Sequence, residues 1–456
     1  MAPSLPRLRP YQRQGVDKFL ATPAPQRQIF AWCLGAGKTG GAIVAARELD
    51  AKRILVVCPA LVRPAWMREF ATWWPEVHPG QITVGRRAIS MSKKGLAKRD
   101  ATYRAPIKVT SYQLMRDAAE TDTFDLVIID EAHRLRNPNS RQSQDLKSIM
   151  RRNPKAAVLM LTATLVPNEI RQIWNPLNIL QPNILGKPQN NGRESWQFLN
   201  TYCHAIRNEY GVNHVGFKAD LRDRLVSIVG HLVHEVGEAA VAPYLPPLFA
   251  ESLTLDSDRF DVKQLCRDWL DDALAQSAHV GIFCHLNATR QLIFDALNLD
   301  YPMFEIDAGC HGAEARDRIL AEARAAKSAV VVSTTHAVGE GVSLSFLKSA
   351  LILEWTTAID EVLQFMGRFA RQDSTNQLPT FLRFVVGPSD GDRAELIQRR
   401  IADKNALLLP GRADTIAHSL FAPLEYSDEV LDAMTETNLK SWEAGQAFAD
   451  WGEDDD

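Results

Sequence analysis

The sequence predicts an α/β protein built from two parallel-sheet lobes with a helical segment between them. Short apolar runs rich in β-branched residues alternate with helical stretches over the first 165 residues, and the same alternation resumes near residue 278. Runs this short fit strands that are buried on both faces, as in a parallel sheet covered by helices on each side. A more polar region separates the two halves.

In the first half, the predicted strands are Gln28–Cys33, Arg53–Cys58, Ile107–Thr110, Leu126–Ile129 and Val158–Leu161. The predicted helices there are Thr39–Glu48, Pro64–Trp73, Gln113–Glu120 and Ser140–Arg152. The middle region is predicted to be helical at Ser195–Glu209 and Leu221–Val236. In the second half, strands are predicted at Ala278–Cys284, Phe304–Asp307, Ala329–Ser333, Ser349–Leu353 and Phe381–Val386, with helices at Ala288–Leu297 and Ala313–Ala326.

These elements divide the chain into a first lobe at residues 1–185, a helical protrusion and linker at 186–247, a second lobe at 248–410 and an acidic tail at 411–456. The tail has a net charge of −10, so the rest of the chain has a net charge of +7. A mildly basic body is typical of some proteins that handle nucleic acids, although an ordinary solvated surface has the same composition.

Composition excludes a mostly disordered chain, because 46% of the residues are hydrophobic and 23% are charged. No apolar run approaches the roughly 20 residues that span a bilayer, and the first 20 residues hold Arg and Pro where a signal peptide needs an apolar core. Six cysteines without a CxxC pair suit a reducing compartment. We therefore expect a cytoplasmic protein with no membrane partner.

The strongest local signal is the segment Gly35-Ala36-Gly37-Lys38-Thr39, which directly follows a predicted strand and opens a predicted helix. Glycines let backbone N–H groups wrap phosphate oxygens, and the helix N-terminus adds a favourable partial charge. In such a loop Lys38 reaches the β- and γ-phosphates of a nucleotide and the Thr39 hydroxyl binds Mg²⁺. The strict pattern has a glycine where Trp32 stands.

A second signal is the pair Asp130-Glu131 at the end of the predicted strand Leu126–Ile129. Ligands of open α/β sheets bind at this edge. We expect Asp130 to hold Mg²⁺ through water and Glu131 to polarise the water that attacks the γ-phosphate. The alternative is a solvated strand end without a function.

A third signal is the pair Arg368 and Arg371, which are three residues apart on a predicted helix and so share one face. Two guanidinium groups on one face can clamp a γ-phosphate from across a cleft and stabilise the charge that develops in the transition state. The alternative is a helix whose arginines form salt bridges.

Together with Leu8–Gln12, these segments resemble the superfamily 2 helicases and, more narrowly, the Swi/Snf-type DNA translocases. The narrower resemblance depends on segments that follow the family's order between residues 8 and 375: Leu8–Val16, Ile54–Phe70, Val109–Tyr112, Asp130–Ser140, Leu161–Asn168, Ile282–Cys284, Ser333–Leu344 and Gln364–Arg371. Trp196, Tyr202-Cys203 and Leu245-Pro246-Pro247 resemble the family's inter-lobe protrusion.

The resemblance implies two RecA-like lobes with ATP and Mg²⁺ between them. It implies that the first lobe supplies Gln12, which reads adenine, together with Gly35–Thr39, Asp130 and Glu131. The second lobe supplies Gly341, Arg368 and Arg371. A nucleic acid lying across both lobes would be gripped alternately as each ATP is hydrolysed. Without recognisable reader domains, the chain resembles a bare motor from a bacterial or phage-infected cell, acting in DNA repair, recombination or fork remodelling.

Two segments depart from the family's pattern. His231-Leu232-Val233-His234 stands where the family usually has an Arg-Arg pair, and Gly367 and Ala370 replace an acid and a histidine. His231 and His234, at helical spacing, could be metal ligands, but we favour two histidines partly buried on a helix because no further ligand cluster has suitable spacing.

The stretch 86–108 holds eight basic residues against one acid, between the segments that resemble the family's motifs Ia and Ib. We expect these two segments and the basic stretch to bind double-stranded DNA without sequence preference, and the alternative is a solvated loop. The expected contacts are Arg86, Arg87, Lys93, Lys94, Lys98 and Arg99. The acidic tail could compete with DNA, recruit a protein partner or only keep the chain soluble.

Three functions stay open at this point. The favoured one is an ATPase that translocates along duplex DNA, because Arg134-Leu135-Arg136-Asn137 continues the resemblance to the narrower family. The others are a strand-separating DNA or RNA helicase of the broader superfamily and a nucleotide-dependent subunit of a defence complex.

Overall fold

The structure is a computed structural model that describes residues 6–88, 91–163, 165, 170–208, 211–215, 217–246, 248–257, 260–307, 313–339, 341–356, 359–369 and 380–390. The strands are β1 (Arg27–Trp32), β2 (Ile54–Cys58), β3 (Gly80–Gln81), β4 (Ile107–Ser111), β5 (Leu126–Asp130), β6 (Ala157–Thr162), β7 (His204–Asn208), β8 (Gly211–Val215), β9 (Val233–Val236), β10 (Leu248–Thr254), β11 (His279–Cys284), β12 (Met303–Ile306), β13 (Ala329–Thr334), β14 (Ser349–Ile352) and β15 (Thr380–Val386). The α-helices are α1 (Pro10–Ala21), α2 (Lys38–Glu48), α3 (Arg63–Trp73), α4 (Lys93–Arg104), α5 (Met115–Ala118), α6 (Arg141–Arg152), α7 (Trp174–Leu180), α8 (Trp196–Tyr202), α9 (Arg222–Val229), α10 (Glu238–Val241), α11 (Val262–Gln276), α12 (Asn287–Leu297), α13 (Ala313–Ala325) and α14 (Ile359–Met366). Short 3₁₀ helices lie at Ala60–Val62, Ala132–Leu135, Ile170–Ile173, Ala219–Leu221, Gly230–Leu232, Ala242–Tyr244 and Pro388–Asp390.

The first lobe is built on a seven-stranded parallel sheet with the strand order β3-β4-β2-β5-β6-β1-β9. Strands β2, β4, β5 and β6 are buried over their whole length, so their alternate side chains enter two cores on opposite faces. In β2, for example, Leu55 and Val57 pack in one core and Val56 and Cys58 pack in the other. Burial on both faces explains why these strands read as continuous apolar runs in the sequence.

The second lobe is built on a six-stranded parallel sheet with the strand order β10-β15-β14-β11-β13-β12. Its strands β11 and β13 are again buried almost throughout. The predicted α/β fold of two parallel-sheet lobes is therefore confirmed. Because the strands of each sheet run in one direction, β1 and β5 bring their carboxyl ends to the same edge of the first sheet.

The region between the lobes differs from the predicted helices. The helix predicted over Ser195–Glu209 ends at Tyr202, and β7 then pairs with β8 in an antiparallel hairpin. The helix predicted over Leu221–Val236 ends at Val229, and β9 joins the first sheet beside β1. Strand pairing outweighs local helical preference here, with the adjacent β8 in the case of β7 and with the distant β1 in the case of β9. The β-branched residues of β9 also suit a strand. The protrusion is thus only partly helical, and its predicted bounds stay predictions.

The acidic tail at 411–456 lies outside the described residues. Among the helices that the structure describes, none is long and apolar enough to cross a bilayer.

Candidate active site

The loop between β1 and α2 has the backbone shape that the glycine pattern predicts. Gly35 and Gly37 have φ values of 74° and 72°, in the left-handed region that glycine adopts without a steric penalty. Ala36 is fully buried between them, and α2 begins at Lys38 with Thr39 in its first turn. The Lys38 ammonium donates to the carbonyl oxygens of Trp32 at 3.0 Å and Cys33 at 3.3 Å. The loop therefore encloses the lysine at a helix N-terminus, where an anion is favoured.

Gln12 lies on this same loop although it comes from α1. Its Nε2 group donates to the carbonyl oxygens of Ala36 at 2.9 Å and Gly37 at 3.4 Å. Its Oε1 atom accepts from the backbone N–H of Arg9 at 2.7 Å. The side chain is buried, so the amide ties α1 to the backbone of the loop.

Asp130 ends β5 and is held by two aromatic side chains. The Trp66 indole donates to Asp130 Oδ2 at 2.8 Å, and the Tyr112 hydroxyl donates to the Asp130 carbonyl oxygen at 2.7 Å. Burial raises the pKa of the Asp130 carboxyl, and the neighbouring Glu131 carboxylate raises it further. Trp66 and Tyr112 lie in the two segments that were expected to bind DNA, and their contacts with Asp130 were not predicted. Their signal in the sequence is a polar-tipped aromatic residue that must find a partner if it is buried.

Glu131 combines an unusual backbone with a charged, enclosed side chain. Its φ is 53°, a left-handed value that is rare for a residue with a side chain and that often occurs at functional sites. Its Oε2 atom is buried without a hydrogen bond from any described residue and lies 3.4 Å from His133 Nδ1. Burial would raise the pKa of Glu131, but His133, Lys38 and Arg368 together hold it below its usual range. Glu131 is therefore ionised and within electrostatic reach of cations from both lobes.

Arg368 brings the second lobe to this site. It lies in a turn after α14 and not on the predicted helix, because its N–H donates to the Phe365 carbonyl at 3.0 Å and α14 has already ended at Met366. The guanidinium is buried, and its Nε donates to the Gly339 carbonyl oxygen at 2.9 Å. Its Nη2 donates to the same oxygen. Arg371 lies outside the described residues, so the expectation that the two arginines share a face stays a prediction.

Two glycines of the second lobe lie directly against the first lobe. Gly341 has a φ of 74°, and a Cβ there would lie 2.9 Å from the carbonyl oxygen of Leu61. At Gly367, a Cβ would lie 2.9 Å from the Leu34 side chain, in the loop that encloses Lys38. The segments around Gly341 and Gly367 thus lie at the boundary where the two lobes meet, as Glu131 does. We call this boundary the seam.

A cavity of about 500 Å³ opens along this seam. The first lobe lines it with His133 and the arginines that follow, and the second lobe lines it with Gly339 and residues of β14 and α14. His133 belongs both to this cavity and to the surroundings of Glu131. The cavity therefore adjoins the candidate site at His133, although Lys38, Glu131 and Arg368 do not line it.

The site fits Mg²⁺ and a nucleoside triphosphate. Carboxylate and hydroxyl oxygens are the ligands that Mg²⁺ prefers, and they are supplied by Asp130 at the end of β5 and by Thr39 in the first turn of α2. The buried Glu131 Oε2 without a hydrogen bond is the kind of polar atom that a bound ligand or its water satisfies. Two left-handed glycines open the loop to phosphate oxygens.

The predicted DNA-binding stretch is a folded helix with mixed surroundings. Lys93, Lys94 and Lys98 are exposed on α4. Arg86 and Arg99 are partly buried and engaged within the protein: Arg86 lies over the Tyr103 ring at 4.5 Å, and Arg99 donates to Asp100 at 3.0 Å and to the Ala88 carbonyl at 3.0 Å. Arg87 pairs with Glu120 at 3.1 Å, but 88% of its side chain is exposed. The three lysines and Arg87 are thus the more accessible part of this surface.

The two histidines of the departing segment do not share a helix. His231 lies in a 3₁₀ helix and contacts Gln181 Oε1 at 3.0 Å. His234 lies in β9 and accepts a hydrogen bond from the Trp32 indole at 2.9 Å. Their partners are on different elements, so the predicted helical pair is wrong.

A family model described as the SNF2-related domain matches residues 11–331, more than half of the chain. DNA excision repair protein ERCC-6 of Mus musculus is 32% identical over 136 residues, which are 29% of this chain and 9% of that protein. The ISWI chromatin-remodeling complex ATPase ISW2 of Saccharomyces cerevisiae is 25% identical over 238 residues, 48% of this chain and 20% of that protein. The chain thus spans a fifth or less of the length of these relatives.

Among solved structures, the Sulfolobus solfataricus SWI2/SNF2 ATPase core in complex with dsDNA aligns with 90% of this chain and 93% of its own. The sequence identity is 16% and the TM-score is 0.42. An overlay this loose assigns no position to DNA on this chain.

Proposed function

This chain belongs to the SNF2-related family, and we propose that it is an ATP-hydrolysing motor that translocates along double-stranded DNA. The observation that supports this most directly is the meeting of charges at the seam. Lys38 from the loop and Arg368 from the second lobe both lower the pKa of Glu131 at the end of β5. Phosphoryl transfer needs this combination of cations around a carboxylate.

Each residue has a distinct part in hydrolysis. Glu131 accepts the proton of the water whose oxygen attacks the γ-phosphorus, while the bond from that phosphorus to the bridging oxygen of ADP breaks. Lys38 and Arg368, with Arg371, offset the negative charge that builds on the phosphoryl oxygens. Gly341, from the second lobe, lets the backbone approach the nucleotide closely, and Gln12 reads the adenine. Thr39 and Asp130 would hold Mg²⁺, which would supply positive charge against the nucleotide phosphates.

Completion of the site by the second lobe is what couples chemistry to movement. Hydrolysis requires Arg368 beside Glu131, so ATP favours a closed seam and product release favours an open one. A duplex lying across both lobes would be held alternately by each. We place its backbone on the exposed lysines of α4, which contact phosphates and therefore do not read sequence. Such a motor suits DNA repair, recombination or replication-fork remodelling.

The test is steady-state ATP hydrolysis with duplex DNA, single-stranded DNA, RNA or no nucleic acid, combined with displacement of a third strand from a duplex. We expect duplex DNA to stimulate hydrolysis most and third-strand displacement to require ATP. Stimulation by single strands alone would contradict the proposal in favour of a strand-separating helicase. Hydrolysis that no nucleic acid changes would instead favour a nucleotide-dependent subunit.

A further inference from the structure

The two places where the sequence departs from its expected patterns meet in the fold. Trp32 stands where the strict phosphate-loop pattern has glycine, and His234 belongs to the segment that lacks the usual Arg-Arg pair. They are 202 residues apart in the chain, yet Trp32 Nε1 donates to His234 Nδ1 at 2.9 Å. The contact is possible because β9 lies beside β1 in the first sheet, with Trp32 next to Val236 in register.

The indole of Trp32 has a single orientation available. Its ring stacks on Phe30 with centroids 4.4 Å apart and planes inclined by 9°. A Cβ at Gly15 of α1 would lie 2.4 Å from Trp32 Cζ2, and a Cβ at Gly41 of α2 would lie 2.7 Å from Cη2. The ring therefore fills the space between the helix that carries Gln12 and the helix that begins at Lys38. Any tilt of the ring pushes one of these helices.

The backbone of Trp32 is the start of the loop that encloses Lys38. Its carbonyl oxygen accepts from the Lys38 ammonium at 3.0 Å, and the next residue, Cys33, donates its N–H to the Val236 carbonyl oxygen of β9 at 2.9 Å. A shift of Trp32 would thus move the carbonyl oxygen that accepts from Lys38, and it would move Gln12 by displacing α1.

His234 is suited to accept this hydrogen bond. Burial, together with the smaller effect of the nearby Lys18 ammonium, lowers its pKa to about 4. The ring is therefore neutral near pH 7, with Nδ1 free to act as the acceptor. The Trp32 N–H is thus a donor and the neutral His234 ring an acceptor, and the two nitrogen atoms lie 2.9 Å apart.

We propose that the Trp32–His234 hydrogen bond is a positioning contact that sets the phosphate loop and the Gln12 helix for nucleotide binding. The proposal rests on the proposed function, because it assumes that this loop binds ATP. Neither side chain touches the nucleotide. They act by fixing the backbone of Trp32 and the spacing of α1 and α2, so the contact contributes to ATP affinity more than to the chemical step.

The experiment compares Trp32→Phe, His234→Leu, His234→Asn and the double variant Trp32→Phe/His234→Leu. Each is assayed for KM and kcat in ATP hydrolysis and for equilibrium binding of a fluorescent ATP analogue. We expect Trp32→Phe and His234→Leu each to weaken binding and raise KM by about fivefold to tenfold, the effect of one hydrogen bond, with kcat changed less than twofold. His234→Asn keeps an acceptor near the Nδ1 position and should rescue most of the affinity.

The double variant separates the hydrogen bond from packing. If the bond carries the effect, His234→Leu adds no more than about twofold once Trp32→Phe has removed the donor. His279→Leu is the matched control, because His279 is a half-buried histidine of the second lobe that contacts the Ala326 carbonyl at 3.0 Å. It should leave nucleotide affinity unchanged. Thermal unfolding of every variant reports its folded fraction.

A KM that stays at the wild-type value in both single variants, or additive losses in the double variant, would overturn the proposal. The binding assay keeps this outcome distinct from failure of the proposed function. Wild-type protein that binds nucleotide without hydrolysing it would contradict the proposed function and leave the positioning contact testable by affinity. Wild-type protein that binds no nucleotide would contradict both.

Discussion

Replacement of Trp66 by phenylalanine tests how the magnesium-binding carboxylate is prepared. Trp66 is fully buried and its indole N–H donates to Asp130 Oδ2 at 2.8 Å. Trp66→Phe keeps an aromatic ring and removes the donor. A hydrogen bond to a charged group contributes about 1.5–3 kcal/mol, and groups that support a metal ligand typically change metal affinity about tenfold to a hundredfold.

The direction of the effect follows from the pKa of Asp130. Burial already raises this pKa, and the Trp66 hydrogen bond is one of the contacts that oppose the rise. In Trp66→Phe the pKa rises further, so a larger fraction of Asp130 is protonated at neutral pH and cannot bind a cation. We expect the Mg²⁺ concentration for half-maximal ATPase activity to rise about tenfold. Raising the pH should recover part of the loss, because the carboxyl group then ionises.

The assay is a Mg²⁺ titration of ATP hydrolysis at fixed ATP and at two pH values. Trp174→Phe is the matched control, since Trp174 is equally buried in the first lobe and its indole nitrogen has no hydrogen-bond partner among the described residues. Both variants lose ring volume, and only Trp66→Phe loses a bond to Asp130. A Mg²⁺ requirement that stays unchanged in Trp66→Phe, or that shifts equally in both variants, would refute the reasoning.

Three further predictions concern the charges of the molecule. Lys38→Ala and Glu131→Gln should each lower ATP hydrolysis at least a hundredfold, on the order of the contribution of a positioned acid or base, with unchanged thermal unfolding. Lys155→Ala is the control. Near-normal turnover in Lys38→Ala and Glu131→Gln would remove both residues from the mechanism. Charge reversal to glutamate of Lys93, Lys94 and Lys98 should weaken duplex binding and flatten its salt dependence. The control is the same change at Lys52, Lys155 and Lys327, which are exposed and lie just before the amino ends of β2, β6 and β13. It should weaken duplex binding less, and an equal loss of binding in the two triple variants would place DNA elsewhere. Because the pKa of His234 falls from 6.5 to about 4 on folding, the unfolded chain binds its proton first and stability is lost as the pH drops through this window. The full shift would amount to about 3 kcal/mol of unfolding free energy, and partial exposure of His234 reduces the expected loss to about 1 kcal/mol. Denaturant unfolding at pH 7.5 and 4.5 should show that the wild type loses this much more stability than His234→Asn. Equal losses in the two proteins would contradict the prediction.

The sequence located most sheet strands because their burial is visible residue by residue. A strand covered on both faces, such as β2 or β13, is a continuous β-branched run. Strands β7 and β9 were predicted as helix although strand pairing decides their conformation. The partner of β7 is the adjacent β8 in a hairpin, whereas the partner of β9 is β1, far away in the chain, and only that second pairing is invisible in the local sequence. Arg368 was also placed on a helix, whereas α14 ends at Met366 and the turn that follows packs Gly367 closely against Leu34 of the other lobe.

The candidate site divides in the same way. Lys38, Asp130 and Glu131 could be predicted as candidates because phosphate and metal chemistry demands those residue types in the loops and strand ends at the carboxyl edge of a parallel sheet. Trp66, which is 64 residues from Asp130, and His234, which is 202 residues from Trp32, act through single hydrogen bonds across the fold. A hydrogen bond between residues so far apart in the chain produces no recognisable residue spacing in the sequence.

Gly341 sets how closely the two lobes can return to each other. A Cβ there would lie 2.9 Å from the main-chain carbonyl oxygen of Leu61 in the other lobe, so the clearance is smaller than one methyl group. A side chain at a joint, such as that of Leu34 opposite Gly367, can rotate and accommodate several spacings, whereas main chain against main chain allows only one. If the lobes separate and rejoin with every ATP, Gly341 acts as a fixed stop, and the closed position is built into the covalent chain.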